Sequence, residues 1–150
     1  MESLSFDLSV LFSVAWRMGA AVLLALPIAW ERERSTRSLG LRTFPLVSLA
    51  SCGYVLLASS VIGSGEDAQA RIIQGLMTGI GFIGGGAILK QDEKVSGTAT
   101  AASIWATGAL GAAVGYGRFE IAVLLSLITL LMLVLLTPLS HRLGASKKEK

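Results

Sequence analysis

The chain has 150 residues, of which 53% are hydrophobic and 15% are charged. Soluble domains carry roughly 25% charged residues, and here the charges are confined to short clusters between long uncharged runs. Because a membrane-spanning helix needs about 20 predominantly apolar residues, the composition indicates an integral membrane protein. The formal net charge of +3 comes from basic residues at the ends of those runs, so it does not indicate binding to nucleic acid. The lone cysteine, Cys52, excludes an internal disulfide framework and is expected to be a small packing residue.

Five apolar segments are predicted to cross the membrane as helices, which makes residues 1–136 one all-α transmembrane bundle. The spans are expected at about residues 8–30, 44–62, 72–89, 98–116 and 119–136. These runs lack the alternation of polar and apolar residues that lipid-facing strands show. Residues 137–150 are expected to form a short basic cytoplasmic tail, either interfacial or disordered. The first run lacks a basic n-region and a small-residue cleavage site, so no cleavable signal peptide is expected.

Basic residues are distributed unevenly between the two sides of this five-span arrangement. One side holds ten of them: Arg32, Arg34, Arg37, Arg42, Lys90, Lys94, Arg142, Lys147, Lys148 and Lys150. The other side holds Arg71 and Arg118, with Arg17 inside or near the outer end of the first span. The positive-inside rule then predicts an outside N-terminus and a cytoplasmic C-terminus. Merging the last two spans would bury Arg118 and Glu120, which is costly.

The three prolines are expected to mark positions along the helices. Pro45 is predicted in the first turn of the second helix, where a missing N–H group costs little. Pro27 lies inside the first span and is expected to kink it. Pro138 is expected to close the fifth span.

Glycine is concentrated between residues 75 and 117. The pairs Gly75 and Gly79, Gly81 and Gly85, and Gly111 and Gly115 each have the spacing that lets two membrane helices approach closely. A second interpretation is that GIGFIGGG at residues 79–86, which includes Gly84 and Gly86, breaks the third helix. Its freed backbone groups would then line a polar cavity. The segment follows no strand, so it does not match a dinucleotide-binding loop.

Hydroxyl-bearing residues lie on the same two spans: Thr78, Thr98, Thr100, Ser103 and Thr107. Thr100, Ser103 and Thr107 are three and four residues apart and therefore share one helix face. One interpretation is hydrogen bonding between helices, worth roughly 0.6 kcal/mol per bond. The other is a polar path or a ligand-binding surface.

Charged residues follow the first span in the sequence ERERSTRSLGLRT. One interpretation is a solvated loop that sets topology. The other is an ion pair between Glu31 or Glu33 and Arg42, which would tie the first span to the second. Arg17 is expected either to extend toward the outer surface or to pair with Asp7 or Glu66.

No cofactor, metal site or catalytic group is expected. The acidic pairs Glu66–Asp67 and Asp92–Glu93 are the best magnesium candidates, but they are predicted in loops on opposite sides. His141 stands alone in the tail, so no nucleophile, base and orienting group can be assembled. The sequence therefore predicts a protein that is not an enzyme.

The residues discussed above resemble the membrane domain of the MgtC/SapB family, which includes YhiD-type proteins. The matching segments are WERER (30–34), GLRTFPLV (40–47), GIGFIGGGAIL (79–89) and TATAASIWATGALGAAVGYG (98–117). They contain Glu31, Arg32, Arg42, Thr43 and Trp105, and the resemblance extends from about Arg17 through Arg71 to the end of the fifth span. Several members carry a cytoplasmic C-terminal domain after the spans, and the resemblance here covers the membrane domain only.

The resemblance implies a multi-pass protein of the bacterial inner membrane. Members are linked to growth in low magnesium, acid stress and survival in host cells. The best-known members are regulators that bind other membrane proteins, including the ATP synthase. We therefore expect a regulator or stress-adaptation factor that acts through helix–helix contacts, with the lipid bilayer and a membrane protein as partners. A second copy of the chain, in a homo-oligomer, is a further candidate partner. The alternative is an ion or small-solute transporter or channel with a polar path along the third and fourth spans.

Overall fold

The structure is a computed structural model that describes residues 7–36, 40–62, 65–91 and 94–145. The described part contains five helices: α1 (Leu8–Thr36), α2 (Thr43–Ile62), α3 (Glu66–Gly86), α4 (Thr98–Gly115) and α5 (Phe119–Ala145). The all-α prediction is therefore confirmed, with each predicted segment inside or overlapping one helix. The Asp92–Glu93 pair, Arg37 and the terminal lysines lie outside the described residues.

Several helix ends differ from the expected ones. Helix α1 continues past the apolar run to Thr36, since Glu and Arg are strong helix formers. Helix α3 begins earlier, at Glu66, so Glu66 and Asp67 occupy its first turn and not a loop. Acidic residues there interact favourably with the helix dipole. Helix α3 also ends earlier, at Gly86, because three successive glycines favour helix poorly.

One of the three prolines, Pro138, interrupts its helix less than expected. Pro45 lies in the first turn of α2, as predicted. Pro27 lies inside α1, which continues beyond it as one element. Pro138 does not end α5, which remains helical to Ala145, so that expectation is wrong. A proline removes only one backbone hydrogen bond from a helix. In an apolar setting the neighbouring N–H and C=O groups need partners, and they keep them because the chain remains helical.

A small hairpin, which the sequence does not predict, joins α3 to α4. Strands β1 (Leu89–Gln91) and β2 (Lys94–Ser96) pair antiparallel, with Leu89 opposite Ser96. Gly97 follows with a φ of 85°, a backbone conformation that residues with a Cβ atom rarely adopt. The hairpin thus ends directly at the start of α4.

Helix α4 occupies the centre of the bundle, because it packs against each of the other four helices. Ile104, Leu110 and Val114 of α4 are at most 1% exposed, and they join Phe44 and Ile28 in the core. The turn after α4 keeps it separate from α5, since Gly117 has a φ of 74°. Two helices are therefore present here, with Arg118 and Glu120 exposed and paired beyond α4.

The outer surface of the bundle is apolar. On α5, Leu124, Leu127 and Leu131 are each more than half exposed, and Phe82 of α3 is 86% exposed. Contiguous apolar surface of this extent is rare on soluble monomers. By length and composition, three helices in the described part could cross a membrane: α1, α2 and α5. The surface and these helices together define a membrane protein.

Candidate functional site

The glycines of α4 are in close contact with neighbouring helices. A Cβ added at Gly111 would collide with the carbonyl oxygen of Ser48 on α2, and one at Gly108 would collide with Ile80 on α3. At Gly115 it would lie 2.7 Å from the Cβ of Val55. These glycines therefore allow α2 and α3 to approach the central helix, which is how small residues hold membrane helices together.

Most glycines of α3 face open space. No heavy atom lies within 4 Å of a Cβ built at Gly75, Gly79, Gly81, Gly85 or Gly86. Gly84 differs from them, because its Cβ would lie 3.2 Å from the carbonyl oxygen of Ala101 on α4. Helix α3 is continuous through this segment, so residues 79–86 do not form the helix break that the second interpretation requires.

Gly75 and Gly79 border a groove between α2 and α3, which we call the α2–α3 groove. Its volume is about 490 Å³, and Val47, Ala50, Ile80 and Ile83 line it. Arg71 and Tyr54 also border the groove, and both are exposed. The groove is mostly apolar and is open to the outer surface of the bundle.

The hydroxyl groups of α4 bond mainly within their own helix. Ser103 Oγ donates to the carbonyl oxygens of Ala99 (2.8 Å) and Thr100 (3.0 Å), and Thr107 Oγ1 donates to Ser103 O (2.8 Å). Thr100, Ser103 and Thr107 do share a buried face. Thr78 likewise bonds to Gln74 O of its own helix. The hydroxyls of Ser103, Thr107 and Thr78 therefore bond within their own helices, and not between helices as one interpretation predicts.

The sequence analysis missed two serines that do connect helices. Ser48 Oγ of α2 donates to Ala21 O of α1 at 2.8 Å. Ser126 Oγ of α5 donates to Leu24 O of α1 at 2.7 Å. Neither serine lies in the glycine-rich segment, and only their place in otherwise apolar runs could have pointed to them.

Arg17 binds neither of its expected partners. Its Nη1 donates to the carbonyl oxygen of Gly115 at 3.1 Å, at the C-terminal end of α4. Helix C-termini carry unpaired carbonyls and partial negative charge. The end of α4 therefore takes the place of an acidic partner for the Arg17 guanidinium. Of the two alternatives for Arg17, the pairing with Asp7 or Glu66 is therefore not the one that the structure has.

The ion pair expected with Arg42 is replaced by a different contact. Glu33 Oε2 accepts hydrogen bonds from the backbone N–H groups of Gly40 (2.9 Å) and Leu41 (3.1 Å). Gly40 fits closely against α1, where a Cβ would collide with Ala29 O and Glu33 N. Glu33 therefore holds the turn between α1 and α2 through the backbone. Glu31 is half-buried at the end of α1, Arg42 is exposed, and Thr43 begins α2.

A second groove lies at the start of α4, and we call it the Arg32 groove. Its volume is about 660 Å³. Its polar lining is Arg32, Ser35, Thr98, Thr100, Ser103 and Thr129, and none of its described lining residues is acidic. Arg32 is 2% exposed. Ala102, Ala106 and Leu133 are part of its apolar lining, so the groove has both polar and apolar walls.

The remaining site residue, Trp105, lies on α4 beside α3 and is 48% exposed. It borders a small apolar groove of about 250 Å³ with Met77 and Gly108. Among the described residues no group of three or more His, Cys, Asp or Glu side chains could hold a metal ion.

These features define a class of protein: a helical membrane protein built around a central helix of small residues. The sequence model of the MgtC family matches residues 18–142. The chain therefore belongs to the MgtC family.

Three relatives illustrate how much of the family protein the chain covers. Protein SrpB of Synechococcus elongatus is 36% identical over 80% of this chain and 72% of its own length. The Escherichia coli protein named "Putative magnesium transporter YhiD" is 35% identical over 77% of this chain and 57% of its own length. Protein MgtC of Salmonella typhimurium is 32% identical over 90% of this chain and 57% of its own length. No solved structure matches the chain.

Proposed function

We propose that the chain is a non-enzymatic regulator of the bacterial inner membrane that acts by binding a transmembrane helix of another protein. The observation that carries this proposal is the open position of Gly75 and Gly79 in the α2–α3 groove. Their spacing allows close backbone approach, and no helix of the described chain fills it. A partner helix of small and apolar residues fits this surface.

The same proposal includes five membrane crossings, with the N-terminus outside and the C-terminus in the cytoplasm. Helices α3 and α4 are not among the three described helices that are long and apolar enough to cross a membrane, and the position of α4 accounts for part of this. Surrounded by four helices, α4 needs little lipid-facing surface. The Arg17 contact with the end of α4 and the Arg32 groove at its start support α1 and α4 running in opposite directions.

The family resemblance supports a role in low magnesium, acid stress or survival in host cells, with the ATP synthase as a candidate partner. A direct test uses growth in low-magnesium medium by cells that depend on this chain. We expect Gly79→Leu to abolish growth, because the added side chain fills the groove. The control Gly19→Leu places the same side chain on α1, where a Cβ also meets nothing within 4 Å.

A photocrosslinking residue at position 79 would identify the bound helix, and the ATP synthase subunits would be examined first. Equal growth of the Gly79→Leu and Gly19→Leu cells would argue against the α2–α3 groove as the docking surface. Correct folding of both variants is checked by their thermal unfolding in detergent.

Transport is the second candidate function, favoured by the name of the YhiD relative. The unbroken α3 removes the helix break on which a polar path was expected to depend. Purified protein in liposomes separates the two functions through assays of magnesium, proton and small-solute flux. Saturable flux would overturn the regulator proposal, whereas partner binding without flux would support it.

A further inference from the structure

We infer that the helix bound in the α2–α3 groove carries an acidic side chain, which pairs with Arg71 while small residues of the same helix pack on Gly75 and Gly79. This inference rests on the proposed function and adds the chemistry of the partner. The observation behind it is a guanidinium at the edge of a groove that is otherwise mostly apolar.

Arg71 is available to a partner. It lies in the second turn of α3, lines the α2–α3 groove and is exposed. The acidic residue one turn earlier, Asp67, lines an adjoining recess with it, but the two do not form an ion pair. Within the described part of the chain, the ion pair that forms is the one between Arg118 and Glu120. A cation on the membrane-facing surface of a bundle is costly unless it is paired or extends to water.

The charges around Arg71 favour a carboxylate. None of the described residues that line the α2–α3 groove is acidic. Tyr54 of α2 lines the opposite wall and is also exposed, so its hydroxyl can donate a further bond. A guanidinium has five N–H donors and no acceptor, and a carboxylate accepts two parallel bonds from it. The groove therefore lacks an acidic group that an Asp or Glu of the partner would supply.

The rest of the lining favours a helix as the carrier of that carboxylate. Arg71, Gly75 and Gly79 follow one another at intervals of four residues, so they form one ridge of α3. The Cβ positions of both glycines are open, which allows the backbone of a second helix to approach. A partner that follows this ridge has its acidic residue four and eight positions from two small residues, in either chain direction.

Binding is measured with the full chain in phosphatidylcholine nanodiscs, with synthetic membrane-spanning peptides as probes. The acidic probe is a leucine-rich helix with one glutamate and with glycines four and eight residues after it. A reversed copy covers the opposite chain direction. The matched probe has glutamine in place of glutamate. We expect the acidic probe to bind about tenfold more tightly, the usual effect of a charged hydrogen bond. Equal affinities of the two probes for the unaltered chain would overturn the inference.

A third probe separates this failure from failure of the proposed function, because it has leucines in place of both glycines. Equal binding of the acidic and glutamine probes, with weaker binding of the leucine probe, would leave the α2–α3 groove as a helix-docking surface without an acidic partner. If no probe bound, both proposals would fail. These comparisons use the unaltered chain, so they do not depend on the folding of a variant.

Variants of the chain then test Arg71 itself. Arg71→Gln is expected to remove the preference for the acidic probe, and Arg71→Lys should keep most of it because the charge remains. Arg118→Gln is the matched control, since Arg118 is exposed and does not line the groove. It should change the preference less than about twofold. Equal loss in Arg71→Gln and Arg118→Gln would show general attraction to positive charge and overturn the inference.

Two other occupants of the groove give different results. A second copy of the chain would offer Asp67, which lies four residues before Arg71 on α3, and photocrosslinkers at position 79 would then join two copies. Loss of these crosslinks in Asp67→Asn would overturn the inference in favour of a homodimer. An anionic lipid would be retained as phosphatidylglycerol by the unaltered chain and lost from Arg71→Gln. That result, with no probe bound, would overturn the inference in favour of lipid.

Discussion

Helices α3 and α4 are both rich in glycine, but the structure uses their glycines in opposite ways. On α4, Gly111 and Gly115 are pressed against the Ser48 backbone and Val55. On α3, Gly75 and Gly79 have the same kind of spacing and face an open groove. Spacing alone therefore indicates a surface suited to close packing, and the neighbouring helices decide whether that surface is already occupied.

This difference also separates stability from function. Glycines packed against a neighbouring helix hold the bundle together, so enlarging them should destabilise the protein. Open glycines add little to the stability of the chain, and each interior glycine costs about 1 kcal/mol relative to alanine. A sequence that retains five such residues on α3 carries a stability cost, which a partner surface would explain.

The largest effect is expected at Gly111. Gly111→Ala should destabilise the protein by about 1–3 kcal/mol, because the added methyl group forces α2 and α4 apart. The steric cause is the Ser48 carbonyl oxygen, which belongs to the backbone and cannot rotate away. Reversible unfolding in detergent, followed by circular dichroism, measures the change. A stability equal to that of the unaltered chain would contradict the close approach of these helices.

The opposite sign is expected at Gly79. Gly79→Ala should stabilise purified protein by about 1 kcal/mol, since alanine favours helix over glycine and its methyl group meets nothing within 4 Å. The same unfolding assay applies, with Gly85→Ala as a second open position. Destabilisation at both positions would mean that the open surface of α3 is covered in the purified protein, for example by a second copy.

Much of this fold follows from the sequence, because long apolar runs separated by charged clusters predict helices directly. The helix ends were harder to predict: α1 and α5 extend beyond their apolar runs to Thr36 and Ala145. An apolar run indicates which part of a helix is kept from water, whereas helix propensity and capping decide where the helix ends.

The contacts between helices could not be predicted, because they depend on which helices become neighbours. For Arg17 the sequence leaves two alternatives, extension toward the outer surface or a carboxylate partner, and the structure has a contact with the Gly115 carbonyl. For Ser103 one of two interpretations predicts a hydrogen bond between helices, whereas its hydroxyl bonds within α4. A side chain's residue type gives its hydrogen-bonding capacity, and only the packing gives its partner.

A smaller effect is expected from the hydrogen bond that links α2 to α1. Ser48→Ala removes the bond from Ser48 Oγ to Ala21 O and should cost about 0.6 kcal/mol, the usual value between membrane helices. Ser103→Ala is the control, since its hydroxyl bonds to carbonyls of its own helix. A larger loss for Ser103→Ala than for Ser48→Ala would contradict the assigned hydrogen bonds.

The smallest net effect is expected at Gly84, the α3 glycine that packs against α4. Alanine there gains about 1 kcal/mol of helix propensity, as at Gly79, but its methyl group would lie 3.2 Å from the Ala101 carbonyl oxygen. That separation is tight enough to offset the gain without forcing the helices apart. The stability of Gly84→Ala should therefore fall between those of Gly79→Ala and Gly111→Ala, close to the unaltered chain. If Gly84→Ala were as stabilising as Gly79→Ala, α3 would not be in close contact with α4 at Gly84. All the glycines of α3 would then face open space, and of these two helices only α4 would have glycines packed against a neighbouring helix.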